Sequence, residues 1–208
     1  MAICHGGIEY IPFPPPYVAH AFRQVADAGA DVVVGHHPHV PQGLSFHQGA
    51  PICHSLGNFV FYQETDLKFR KLGYLVMLGF TRQALVSLKL VPYRIDPGGL
   101  RALQGRQLSD FRAKFKEISL PLDDAQLIND TWHGFLHHYG VNGFLEEVAM
   151  IMEKMKTDPK KGAAMFRNRL TTLQHYHHWK ALLTRMVNGS LESSPQWARR
   201  LTEEWLTA

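Results

Sequence analysis

The most constraining feature of this chain is a four-residue run, Asp31 to Val34, lying between Gly29 and Gly35 and wholly apolar after its first residue. A run so short and so continuously apolar reads as a strand buried on both faces, as in the centre of a parallel sheet. What precedes it fits that reading. Met1 to His5 is the end of a strand, and Tyr10 to Pro16 is a proline-rich loop. Tyr17 to Ala28 places Val18, Phe22 and Val25 on one helical face, with proline at its start and Gly29 as its stop. Strand, helix and strand in that order predict a βαβ unit with parallel strands and a right-handed crossover.

Beyond the second strand the pattern becomes hairpins. Leu44 to Phe46 and Pro51 to Ser55 flank the turn at His47 to Ala50, and Leu72 to Thr81 and Ala84 to Pro92 flank Arg82-Gln83. A turn cluster, Ile95 to Gly99, ends this β-rich block. From Ser109 onward helical spacing dominates. Phe111, Phe115 and Ile118 come first, then segments over about Asp124–His138, Gly143–Lys156 and Ala163–Asn188. A last helix carries Trp197, Leu201 and Trp205 and is started by Ser194-Pro195. The stripe on that last helix predicts packing. These readings divide the chain into residues 1–98 and a helical region, 99–208.

Composition narrows the function classes. Charged residues make up 19% and the hydrophobic share is 45%, as in a folded soluble domain. A net charge of +4, with basic residues scattered among acidic ones, is no nucleic-acid footprint, so no nucleic-acid partner is expected. Two cysteines, Cys4 and Cys53, are too few for a disulfide framework and read as thiols packed on strands. The start of the chain has no signal-peptide pattern, and no apolar run reaches the ~20 residues of a membrane span. The sequence assigns no compartment.

Chemistry concentrates at the two strand ends. His5-Gly-Gly-Ile-Glu9-Tyr10 follows the first strand and Gly35-His36-His37-Pro38-His39 follows the second. In open α/β sheets the binding crevice lies outside the carboxyl ends of the strands, so both clusters are expected in one crevice. Imidazoles suit zinc, manganese or iron, and the rigid proline between His37 and His39 preorganises a pair of ligands. Gly35 is expected to give the backbone the freedom to aim them. His133 with His137, and His175, His177 and His178, lack a completing acid and read as solvated or interface histidines. A Cys–His nucleophile is excluded because alternation points Cys4 and Cys53 away from His5 and His54.

Three blocks in order, His5-Gly-Gly-Ile-Glu-Tyr10, Ala28 to Val40 and Ser55-Leu-Gly-Asn-Phe-Val-Phe61, resemble the CapA family. That family is associated with capsule and poly-γ-glutamate synthesis and is similar to the calcineurin-like metallophosphoesterases. The resemblance implies an α/β fold, the C-terminal half of a four-layer α/β/β/α sandwich followed by a helical region. It implies His5, His37 and His39 as metal ligands, His37 and Glu9 as catalytic residues, and Asn58 and His36 beside the substrate. The implied cofactor is a pair of divalent ions, manganese, iron or zinc, that clamp a phosphoryl oxygen and activate water. The implied partners are other capsule- or polymer-synthesis components at the membrane.

The departures from the family carry equal weight. Its earlier blocks, Gly-Asp, Asn-Leu-Glu and Asn-Asn-His, do not occur here, and Asp27, Asp66 and Asp96 lie in helix, loop and turn contexts. A second dication needs a bridging carboxylate to offset its charge. The chain is therefore expected to match the C-terminal portion of the family only. It is expected to be inactive alone as a phosphoesterase, and to expose an apolar surface through which it self-associates. The alternatives are a metal-dependent phosphoesterase once those acids are supplied, and a non-catalytic remnant.

Overall fold

A computed structural model describes residues 1–207 as a mixed α/β chain, about half helical, that divides into two compact units. The first comprises Met1–Trp132 and the end of the chain from Glu203, and the second His133–Thr202.

The first unit is built on the predicted βαβ. Strands β1 (Ala2–His5) and β2 (Val33–His36) pair in parallel, joined through helix α1 (Pro16–Asp27). The second strand lies two residues later than its apolar run suggested, because pairing sets its register from Ala2 opposite Val33 to His5 opposite His36. Strands β3 (Pro41–His47) and β4 (Ala50–Leu56) form the first predicted hairpin, and β4 pairs in parallel with β2, giving the order β1-β2-β4-β3. Gln48 and Gly49 turn this hairpin, both at positive φ, the signature of a two-residue turn matched to strand twist. Val18 and Phe22 of α1 pack on Val33 and Ile52, covering one face of the sheet.

The opposite face is covered by the second hairpin, β5 (Leu72–Phe80) and β6 (Leu85–Asp96), and by helix α2 (Gly105–Ser119). Cys53, Tyr74, Leu103 and Phe111 form that core, and the Tyr74 hydroxyl donates to the Gln42 carbonyl at 3.1 Å. The β-rich block does not end at residue 98. A further strand, β7 (Gly99–Ala102), pairs with β6 across Asp96 opposite Gly99, so Pro97-Gly98 is a hairpin turn. The division expected between residues 98 and 99 thus falls inside a hairpin. Phe59, Val60, Phe61 and Met77 leave large apolar side chains exposed on this unit. At its end, Trp205 of helix α6 (Gln196–Leu206) stacks on Phe69 with ring centroids 3.5 Å apart.

Helix α3 (Ala125–Thr157) joins the two predicted helical segments, but its backbone leaves helical geometry at Gly140 (φ 56°, ψ −169°). The predicted segment Ala163–Asn188 is two helices, α4 (Pro159–Thr171) and α5 (Leu173–Val187). The break is at Thr172, whose extended backbone (φ −83°, ψ 126°) suits a β-branched residue following another. In the second unit a partly buried acid, Glu147, gathers three donors. Its carboxylate accepts from Arg169 Nε at 2.5 Å, Tyr139 Oη at 2.5 Å and Trp179 Nε1 at 3.0 Å. Burial pushes this carboxyl up, but the three donors outweigh that and hold it below the usual carboxylate range.

Candidate metal centre

Both histidine clusters reach one cleft of about 440 Å³ at the carboxyl ends of β1 and β2, lined by His5, His36, His37, His39 and Asn58. The two loops are tied together by backbone. Gly6 N–H donates to the His36 carbonyl at 3.0 Å, extending the parallel ladder, and Tyr10 N–H donates to the Pro38 carbonyl at 2.7 Å. These two bonds bring the Glu9 loop beside His37 and His39.

The result is a compact donor set. One ligand atom each from Glu9, His37 and His39 lie within 4.8 Å of one another, and Glu9 Oε1 is 3.9 Å from His39 Nε2. Among the described residues this is the only group of three or more such donors. His5 stands outside it but beside it, its ring centroid 4.9 Å from that of His37. His37 (φ 107°), His39 (φ 60°) and Tyr10 (φ 66°) all adopt backbone conformations that side-chain-bearing residues rarely hold. His37 and His39 line the cleft and the Tyr10 ring lies 5.9 Å from that of His39, so the strain gathers beside the donor set.

Asn58 fixes the tautomer of His39. Its amide orientation is set by Nδ2, which donates to the Arg70 carbonyl at 3.4 Å, leaving Oδ1 to accept from His39 Nδ1 at 2.7 Å. The proton therefore sits on Nδ1, and the lone pair of Nε2 faces Glu9 and the cleft. Asn58 is itself held by its carbonyl, which accepts from Tyr93 Oη at 2.7 Å. His36 and His37 are pushed below the usual histidine pKa, first by burial and then by the His5 imidazole, which favours the neutral form that binds metal.

Gly35 does a different job from the one its position suggested. It lies within β2 opposite Cys4, and a Cβ there would stand 2.1 Å from the His54 carbonyl oxygen and 2.6 Å from Phe22 Cε2. The glycine is needed for close approach of β2 to β4 and α1, and the aiming of the histidines comes from the strained residues after it. The remaining sequence candidates separate from the site. Cys53 is buried and pushed up to about 12 by its burial, as an inert core thiol would be. His137 pairs with Glu192 at 2.9 Å, and His178 is enclosed by Phe135 and Tyr139. Arg70, whose guanidinium lies 3.7 Å above the Tyr10 ring and whose carbonyl holds Asn58, was not legible as a site residue. Nothing in its local pattern, Lys-Phe-Arg-Lys, marks it.

The comparisons with known proteins point to capsule synthesis, and the family match falls on these same residues. The family described as "Bacterial capsule synthesis protein PGA_cap" matches residues 1–63, which hold every residue of the donor set and Asn58. The capsule biosynthesis protein CapA of Bacillus anthracis is 34% identical over 136 residues, covering 64% of this chain and 29% of that protein. The PGA biosynthesis protein CapA of Bacillus subtilis (strain 168) is 48% identical over 59 residues, covering 28% of this chain and 16% of that protein. The chain spans less than a third of the length of either relative. The segment that builds the cleft thus matches the capsule-synthesis family, and the chain is similar to the CapA capsule biosynthesis proteins.

Proposed function

We propose that this chain serves capsule or poly-γ-glutamate biosynthesis through a metallophosphoesterase-like site that holds a divalent metal ion at Glu9, His37 and His39. The observation that carries this is the convergence of one carboxylate and two imidazoles within 4.8 Å at the carboxyl ends of two parallel strands. A carboxylate with two imidazoles suits zinc, manganese or iron(II). Such an ion, when bound, polarises a phosphoryl oxygen and lowers the pKa of a water. His39 presents Nε2 because Asn58 holds the proton on Nδ1, and His5, beside His37, extends the imidazole wall of the cleft. His36 and Asn58 flank the space a phosphate ester would enter. A four-layer α/β/β/α sandwich is the architecture that this site and the two covered sheet faces fit best.

A single carboxylate favours one ion over two, since a bridged pair needs further acids. On that ground the chain alone binds metal and phosphate without turning over esters efficiently. The partners that this reading implies are other components of polymer synthesis, together with self-association through the exposed Phe59, Val60, Phe61 and Met77. The test is a calorimetric titration of the purified chain with Mn²⁺ and Zn²⁺, followed by a diester hydrolysis assay. One ion bound per chain, lost in Glu9→Gln and His37→Ala, supports the site. Two ions with robust hydrolysis would favour the phosphoesterase reading, and no binding of either metal would end both.

A further inference from the structure

The helical unit carries a surface that the metal site does not use. Residues 159–191 contain six Lys and Arg and no Asp or Glu, while the whole chain holds 22 basic residues against 18 acidic. The scattered charge of the whole chain therefore conceals one segment of a single sign, which covers α4 and α5. Arg169 is engaged by Glu147, whereas Lys160, Arg167 and Lys180 have no carboxylate partner among the described residues.

The same segment is apolar on its outer side. Leu170 is 53% exposed, Leu173 62% and Val187 86%. Tyr176, Lys180, Leu183 and Val187 recur along α5 at i, i+4, i+7 and i+11, which is one helical stripe. With Leu170 they line an open groove of about 430 Å³. On α4, Lys160, Arg167 and Leu170 share a face at i, i+7 and i+10. Charge and apolar surface meet at Lys180, whose ammonium lies 5.6 Å from the Tyr176 ring centroid.

We propose that the outer face of α4 and α5 binds an anionic lipid surface. Leu173, Tyr176, Leu183 and Val187 enter the headgroup boundary, and Lys160, Arg167 and Lys180 meet the lipid phosphates. A soluble acidic chain would satisfy the cations but leave Leu173 and Val187 in water, whereas a membrane surface takes up both. No helix among the described residues is long and apolar enough to cross a membrane, so the contact is one of lying on the surface.

The test is co-sedimentation of the full chain with phosphatidylcholine vesicles, with and without phosphatidylglycerol, in the presence of a chelator so that the result is independent of the metal site. The expected result is binding to the mixed vesicles that weakens with salt and is much weaker on phosphatidylcholine alone. Leu173→Asp with Val187→Asp, and separately Lys160→Glu with Lys180→Glu, should each weaken it at least about tenfold. All four side chains are exposed, and circular dichroism checks that both variants stay folded. No binding to mixed vesicles, or binding that both variants retain, would overturn the proposal. So would tighter binding to soluble polyaspartate, lost in the charge variant alone, which would assign the face to an acidic polymer instead.

Discussion

His39 shows how much the aim of a donor atom depends on residues outside the donor set. Its Nε2 faces the cleft only because Asn58 Oδ1 accepts from Nδ1, and Asn58 is held in turn by Arg70 and Tyr93. Replacing Asn58 with Ala should lower affinity for Mn²⁺ or Zn²⁺ by about 10–100-fold, as loss of a ligand's supporting partner commonly does. A titration against wild type checks this, and Asn58→Asp, which keeps the acceptor, should recover most of the loss. His54 predicts a different behaviour at the same scale. It is fully buried, accepts or donates one bond with Ser45 at 2.9 Å, and is pushed down to about 3 by burial and then by Arg23. Below its ordinary value of 6.5 the unfolded chain takes up a proton that the folded chain refuses, so stability is present above pH 6.5 and is lost as pH falls toward 3. His178, pushed down to about 4 by burial, adds to the loss in the same direction. Each group contributes a slope of about 1.4 kcal/mol per pH unit within its window. Urea midpoints measured at pH 7.5, 6 and 5 should fall steadily, and a flat profile would mean that these histidines are solvated.

At the scale of elements, close approach decides which substitutions the fold tolerates. A Cβ on Gly35 would meet the carbonyl of His54, a backbone atom of the paired strand that cannot turn aside. Gly35→Ala should cost about 3 kcal/mol or more and appear as insoluble or early-melting protein. Gly162, where a Cβ would lie 2.3 Å from Met155 Cα, makes the same demand where α4 crosses α3. Its replacement by Ala should likewise lower the melting temperature while leaving metal affinity unchanged, because Met155 and Gly162 both belong to the helical unit. Helix and strand content was largely legible at this scale, because α1, the two hairpins and α2 each announce themselves by period and turn residues. The break at Thr172 was not, since the apolar pattern of α4 and α5 runs through it. Nor was β7, whose four residues carry too little pattern to separate from the turn before them.

For the molecule as a whole, two compact units predict two responses to one ligand. The donor set lies within Met1–Trp132, so a divalent ion should stabilise that unit and leave His133–Thr202 as it was. At a hundredfold excess over the dissociation constant the gain is about 2.7 kcal/mol. Hydrogen exchange with and without Mn²⁺ should show slowed amides in β1, β2 and the loops after them, and no change in α4 and α5. Uniform slowing across both units would mean that they fold as one.

The sequence by itself determined the resemblance to the CapA family, the βαβ start, the hairpins and the presence of His5, His37 and His39 at strand ends. These are legible because strand period, turn residues and ligand types are local properties of the chain. Only the tertiary structure decided that Glu9 joins His37 and His39, since that depends on two backbone bonds between loops about thirty residues apart. It also decided that Gly35 is a packing glycine, that Arg70 supports Asn58, and that an acid-free pair of helices turns Leu173 and Val187 outward. Each of these is a relation between distant residues, and distance along the chain carries no information about distance in space until the strands are paired.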